Sequence, residues 1–179
     1  VKYRNGFVSN SSSSSFVVGF LKFPESAEEL RVMLFGDADV FEDPYSENSW
    51  DAQEIADIVF KQMMENEPLD HTTENIGGIL ASGYYAGIPD SDDYVNYRGM
   101  LNKDDPGFDE QRKLYHDQWE AFYKDSQGKA EKIAKSFLKI VEGQVLIQLD
   151  FSDNEGDRSA AMEHGDLFHQ LPYLYTSHH

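Results

Sequence analysis

The sequence predicts a mixed α+β fold, or a small α/β layer fold. A small sheet is expected from strands at the two ends of the chain, with helices from the middle packed on it. Three observations carry this. The run FVVGFLKF at 16–23 is apolar on both alternating faces, as in a central strand covered on both sides. Residues 145–151 alternate, with Val145, Ile147, Leu149 and Phe151 on one face and Leu146, Gln148 and Asp150 on the other. Between them, Tyr115, Trp119, Phe122, Ser126, Ala130, Ile133, Phe137 and Val141 keep a helical three-four spacing.

The elements follow in order. Residues 1–8 read as a short strand and 10–15 as a polar, Ser-rich run before the strand at 16–23, which Pro24 stops. Ser26 with Glu29 three residues on is a capping box opening a short helix with Leu30, Met33 and Leu34 on one face, ended by Gly36. Residues 37–48 read as an acidic loop. Ser49 is the expected cap of a second helix, with Asp51 near its positive end and Ile55, Ile58, Val59 and Met63 at helical spacing; Pro68 ends it. The Gly-rich stretch 74–87 still accommodates a helix around Ile79 and Leu80, and 89–93 is loop.

Asp105-Pro106 reads as an N-cap followed by Pro at the first helical position. The long pattern after it carries Glu120–Lys124, Asp125–Lys129 and Glu131–Lys135 pairs. Gly128 is a candidate break into two helices, and Gly143 a stop. Ser152 to Asp157 is turn sequence, 159–171 a short helix ended by Pro172, and 173–177 a last strand. The aromatic stripe Tyr115, Trp119, Phe122 and Tyr123 reads as core. No internal repeat or linker divides the chain, so one globular domain over 1–179 is expected.

The chain has 179 residues, with 33 Asp+Glu against 15 Lys+Arg, a formal net charge of -18 and no cysteine. Without cysteine there are no disulfides, thiol nucleophiles, iron–sulfur clusters or cysteine-ligated zinc. The acidity opposes direct nucleic-acid binding, which needs Lys and Arg at phosphates. No apolar run reaches the ~18 residues of a membrane span, and residues 1–23 lack the order of a signal peptide. A cytoplasmic location is expected. Charge is unevenly spread: residues 1–24 carry +3 and no acid, whereas 25–60 carry -10.

Two polar clusters are the candidate chemistry. Arg4 with Ser11, Ser12, Ser13 and Ser14 offers a countercharge, hydroxyls and backbone N–H groups, the components of an anion cradle. Near the other end stand Asp153, Glu163, His164, Asp166, His169, His178 and His179. Imidazole and carboxylate together suit zinc, manganese or iron. Asp166 and His169 would share a helix face. No P-loop, GxSxG elbow, GxGxxG or HExxH motif occurs.

The N-terminal Arg4-Asn5-Gly6-Phe7-Val8-Ser9-Asn10, the serines 11–15 and Phe16 resemble a signature of uncharacterised bacteriophage and bacterial proteins. Ser152-Asp153-Asn154-Glu155-Gly156, then Glu163-His164-Gly165 with Phe168, then Ser177-His178-His179, resemble the other end of that group. The resemblance covers about 40 residues and implies no established activity. It places weight on the two termini and favours His178-His179 as native residues.

Together these readings predict that strand 16–23 lies beside strand 145–151, bringing the Ser run close to Glu163–His164. The expected function is a small enzyme or binding protein. It would take a small anionic ligand on Arg4, Ser11, Ser12, Ser13 and Ser14, with Glu163 and His164 as acid/base groups. A divalent metal ion would bind His164, His178, His179 and Asp153. The alternative is an acidic, non-enzymatic interaction protein that meets a basic protein partner, of the phage-inhibitor or nucleic-acid-mimic type. A phage-particle component is a third reading, resting on the resemblance alone.

Overall fold

The computed structural model describes residues 13–42, 47–84, 103–164 and 166–177. The expected α+β arrangement is present. β1 (Ser13–Phe20) is the centre of a three-stranded antiparallel sheet, flanked by β4 (Val145–Ser152) and β5 (Tyr173–Ser177) in the order β4-β1-β5. The strands from the two ends of the sequence therefore pair directly, with Phe16 opposite both Leu149 and Tyr175.

β1 is apolar on both sides because helices cover both faces. On one face Phe16, Val18, Phe20, Ile147, Leu149 and Phe151 pack against α1 (Ala27–Phe35), α2 (Ala52–Glu65) and α5 (Asp157–His164), through Leu30, Leu34, Ile55, Val59, Met63 and Met162. On the other, Val17 and Leu146 meet α3 (Thr73–Tyr84) and α4 (Phe108–Ile140), through Ile76, Leu80, Ala130, Ala134, Phe137 and Val141. A buried side chain of this size contributes roughly 1.5–3 kcal/mol, so the two apolar layers hold the sheet in place.

The strand begins and ends three residues earlier than the sequence predicts. Phe20 pairs with Val145, the first residue of β4, so beyond it β1 has no neighbour on that side, and Leu21 is 86% exposed. At the other end Ser14 and Ser15 enter the sheet because their hydroxyls find carboxylates there.

The Ser26 cap forms as expected, accepting from Glu29 N at 3.1 Å. The acidic stretch 37–48 is not loop throughout. Val40–Glu42 form a strand, β2, paired antiparallel with β3 (Ser49–Asp51), with Phe41 buried beside Phe35. Strands of three residues are too short for alternation to register. The α2 cap is Asp51 rather than Ser49, its carboxylate accepting from Gln53 N and Glu54 N at 2.9 and 3.0 Å.

α4 is one helix of 33 residues, and Gly128 does not break it. It starts at Phe108, after Gly107 at φ 89°, rather than at Pro106. Its fully buried residues begin only at Ser126. The aromatic stripe ahead of that point is half-buried, with Tyr123 37% exposed and stacked on Trp119. α5 is shorter than predicted. A turn over residues 167–170 returns Phe168 to the core, its ring centroid 5.2 Å from that of Phe16.

The outer edge of β4 is closed by the chain that ends α2. Gln62 Nε2 donates to Asp150 O at 2.8 Å, Asn66 Nδ2 to Gln148 O at 2.7 Å, and Leu69 N to Leu146 O at 2.8 Å. Three alternate carbonyls of an edge strand are thus satisfied without a fourth strand. Among the described residues no helix is long and apolar enough to cross a membrane.

Candidate functional site

The sheet end at which β1 begins and β4 and β5 finish is where the two polar clusters meet. Ser13 pairs with Ser152, and Ser14 pairs with Phe151 and Ser177. α5 leaves β4 through a 3-10 turn (Asp153–Glu155) and lies back on the face carrying Phe16 and Phe151. Ser14, on that face by the two-residue period of the strand, reaches it. Its Oγ lies 3.1 Å from Glu163 Oε1, across 149 residues of sequence.

Ser14 and Glu163 are both buried, at 0% and 1% exposure. Tyr175 Oη is 3.3 Å from Ser14 Oγ on the other side. A hydroxyl has one proton, so if Ser14 donates it to the carboxylate, Tyr175 is the donor to Ser14. His164, the next residue, is half-buried. Its Nε2 is 3.7 Å from Glu163 Oε2, an ion pair when the imidazole is protonated. The neighbouring Ser15 points to the opposite face and bonds Asp150 Oδ1 at 2.5 Å. Two consecutive serines therefore fasten β1 to α5 on one face and to β4 on the other.

Ser13, Ser14, Glu163 and His164 are thus brought to one end of the sheet, and Asp153 stands in the 3-10 turn there, half-buried. Arg4, Ser11, Ser12, His178 and His179 lie outside the described residues, as does the strand expected at 1–8. Asp166 and His169 do not share a helix face. They belong to the turn after α5, where His169 Nδ1 contacts Asp166 O at 2.8 Å. Among the described residues no group of three or more His, Asp or Glu side chains is placed to hold a metal ion.

The open space of this region lies on the other flank of α5. A groove of about 640 Å³ runs between α2, the end of β4 and the start of α5. Trp50, Ile58, Phe151 and Met162 form its apolar lining, and Lys61, Gln62, Glu65, Asp150, Glu155, Asp157, Arg158 and Ser159 its polar rim. Arg158 lies over Trp50, its Cζ 4.9 Å from the ring centroid, and pairs with Glu54 at 3.2 Å. Trp50 Nε1 and Gln62 Oε1 are buried without a hydrogen-bond partner. Two unmatched polar atoms on one groove are unusual, since buried donors and acceptors are nearly always paired.

Sequence reasoning missed this groove. Trp50 sits in an acidic stretch and Arg158 in what reads as turn, and nothing in their spacing joins them. The one available signal is that Arg158 is the only Lys or Arg after Lys139. No protein-family model, curated protein or solved structure matches the chain.

Proposed function

We propose that this chain is a small-ligand-binding protein whose ligand occupies the groove between α2 and α5. The observation that carries the reading is the groove itself. Its volume falls in the range of small-molecule sites, about 300–1,000 Å³. It also joins an aromatic wall, a stacked Arg158 and two unpartnered buried polar atoms. Arg158 and Lys61, rather than the Arg4 and serines expected from the sequence, serve an anionic group of the ligand in this reading. Three carboxylates on the same rim, Glu65, Glu155 and Asp157, repel a purely anionic molecule. A small zwitterion meets both signs: its anionic end at Arg158 and Lys61, its cationic end at the carboxylates. In this reading Ser14 and Glu163 hold the α5 wall on the sheet from beneath rather than touch the ligand.

The chain's two Trp residues, Trp50 and Trp119, make the test direct. In a Trp119→Phe variant the indole emission reports Trp50 alone. Titration with amino-acid zwitterions, dicarboxylates and divalent cations is expected to move that emission for the zwitterions. Arg158→Ala is expected to weaken the response at least about tenfold, the loss of one charge-assisted contact. A response to none of the three classes, or one unchanged in Arg158→Ala, removes the proposal. Metal analysis of untagged protein tests the metal set of His164, His178, His179 and Asp153 in the same preparation.

A second reading, the acidic interaction protein, is favoured by one observation. Glu25, Glu28, Asp37, Asp39, Glu42, Glu47, Asp51, Glu54 and Asp57 are all exposed. Such a field steers basic partners and weakens with salt.

A further inference from the structure

The sheet has two edges, treated in opposite ways. β4's outward carbonyls are taken by Gln62, Asn66 and Leu69. Among the described residues, β5's outward groups have no such cover. The register identifies them. Gly19 N donates to Pro172 O at 2.9 Å, so residue 172 faces β1, and by the two-residue period 174 and 176 do as well. Tyr173, Tyr175 and Ser177 therefore turn their backbone N–H and C=O away from the sheet. Among the described residues these groups meet no hydrogen-bond partner. Ser177 Oγ, on the same edge, is buried and unpartnered too.

Edge strands are normally blunted by Lys, Pro, a bulge or a cover. β5 reads YLYTS, with no charge and no Pro, and pairs with β1 without interruption. Tyr175 is 43% exposed. We propose that β5 is a docking edge that accepts an extended, basic segment of a partner protein as a fourth strand. Main-chain hydrogen bonds to Tyr173 and Tyr175 supply the register, and charge selects the partner. The chain's net charge of -18 favours a basic strand. Asp166, 3.4 Å from the Tyr173 hydroxyl, puts a carboxylate at the beginning of the edge. A second copy would set two strongly acidic chains side by side, which like-charge repulsion opposes. This proposal is independent of the groove, which lies beside β4.

Hydrogen exchange followed by NMR on the full chain tests it. The probe is a blocked Lys-Val-Lys-Val-Lys-Val-Lys peptide, compared with a Lys-Gly peptide of equal charge and poor strand propensity and with a Glu-Val peptide. In the free protein the amides of Tyr173 and Tyr175 should exchange fast while those of Leu174 and Thr176 are slow. The Lys-Val peptide is expected to slow Tyr173 and Tyr175 at least about tenfold, and the other two peptides to leave them fast. Tyr175→Pro removes an outward N–H without touching the β1–β5 ladder and is expected to weaken binding about tenfold. If that variant loses protection at Leu174 and Thr176, the strand itself has come apart, and the wild-type exchange pattern decides the matter. Fast exchange at Tyr173 and Tyr175 with the Lys-Val peptide present overturns the proposal. So does equal protection by the Lys-Gly peptide, or protection that grows with protein concentration alone, the mark of a second copy.

Discussion

Ser14 and Glu163 are a polar pair in a place that apolar residues would otherwise fill. Their value is positional, because a buried hydrogen bond is directional where apolar contact is not. Removing one partner leaves the other desolvated, so Ser14→Ala is expected to cost about 1–3 kcal/mol in chemical denaturation. Glu163→Gln should cost less, because an amide still accepts from Ser14. Equal losses for the two would show that the hydroxyl is not what the carboxylate needs. Tyr173 gives a pH signature. Burial, and then the Asp166 carboxylate beside it, push its hydroxyl above its usual value. The fold thus favours the neutral phenol. That contribution is complete below the unfolded value of about 10 and is lost as pH rises through the raised one. Denaturation midpoints at about pH 9 and about pH 11 should fall less in Tyr173→Phe than in the parent chain. Both clusters are readable as residue types in the sequence. That Ser14 meets Glu163 depends on the β1 register.

At the scale of the element, two glycines make opposite predictions. A Cβ at Gly19 would come within 2.7 Å of Gln144 Oε1 and 2.9 Å of Val141 Cγ1, where the end of α4 crosses β1. Gly19→Ala is therefore expected to destabilise by about 1–3 kcal/mol. Gly128, inside α4, has open space around its Cβ position. Gly128→Ala should raise stability by about 0.5–1 kcal/mol, which two separate helices meeting at a turn would not allow. Thermal melts of both variants check the pair. The helices with strong caps and apolar stripes, α1 and α2, were legible to within a few residues. The β2–β3 hairpin was not, because its stability comes from Phe41 packing on Phe35 and not from its own pattern. The early end of α5 was hidden for a similar reason: Phe168 gains more from the core than from another helical turn.

For the whole molecule, charge and topology act separately. With -18 on 179 residues, self-repulsion opposes compaction, and screening relieves it. The melting temperature should rise between low and moderate sodium chloride; a fall would mean that the exposed pairs such as Asp125–Lys129 outweigh the repulsion. The sequence by itself determined the class of fold and the central strand, because burial on both faces must be written as apolar residues on both faces. It also determined that the polar clusters of the two ends stand next to strands. Only the tertiary structure decided which of those residues meet. It joined Trp50 to Arg158 across more than a hundred residues, and among the described residues it covered one sheet edge and not the other. Such contacts are set by register and by the path of the chain. Those follow from the packing of both layers at once, and no local stretch of sequence encodes them.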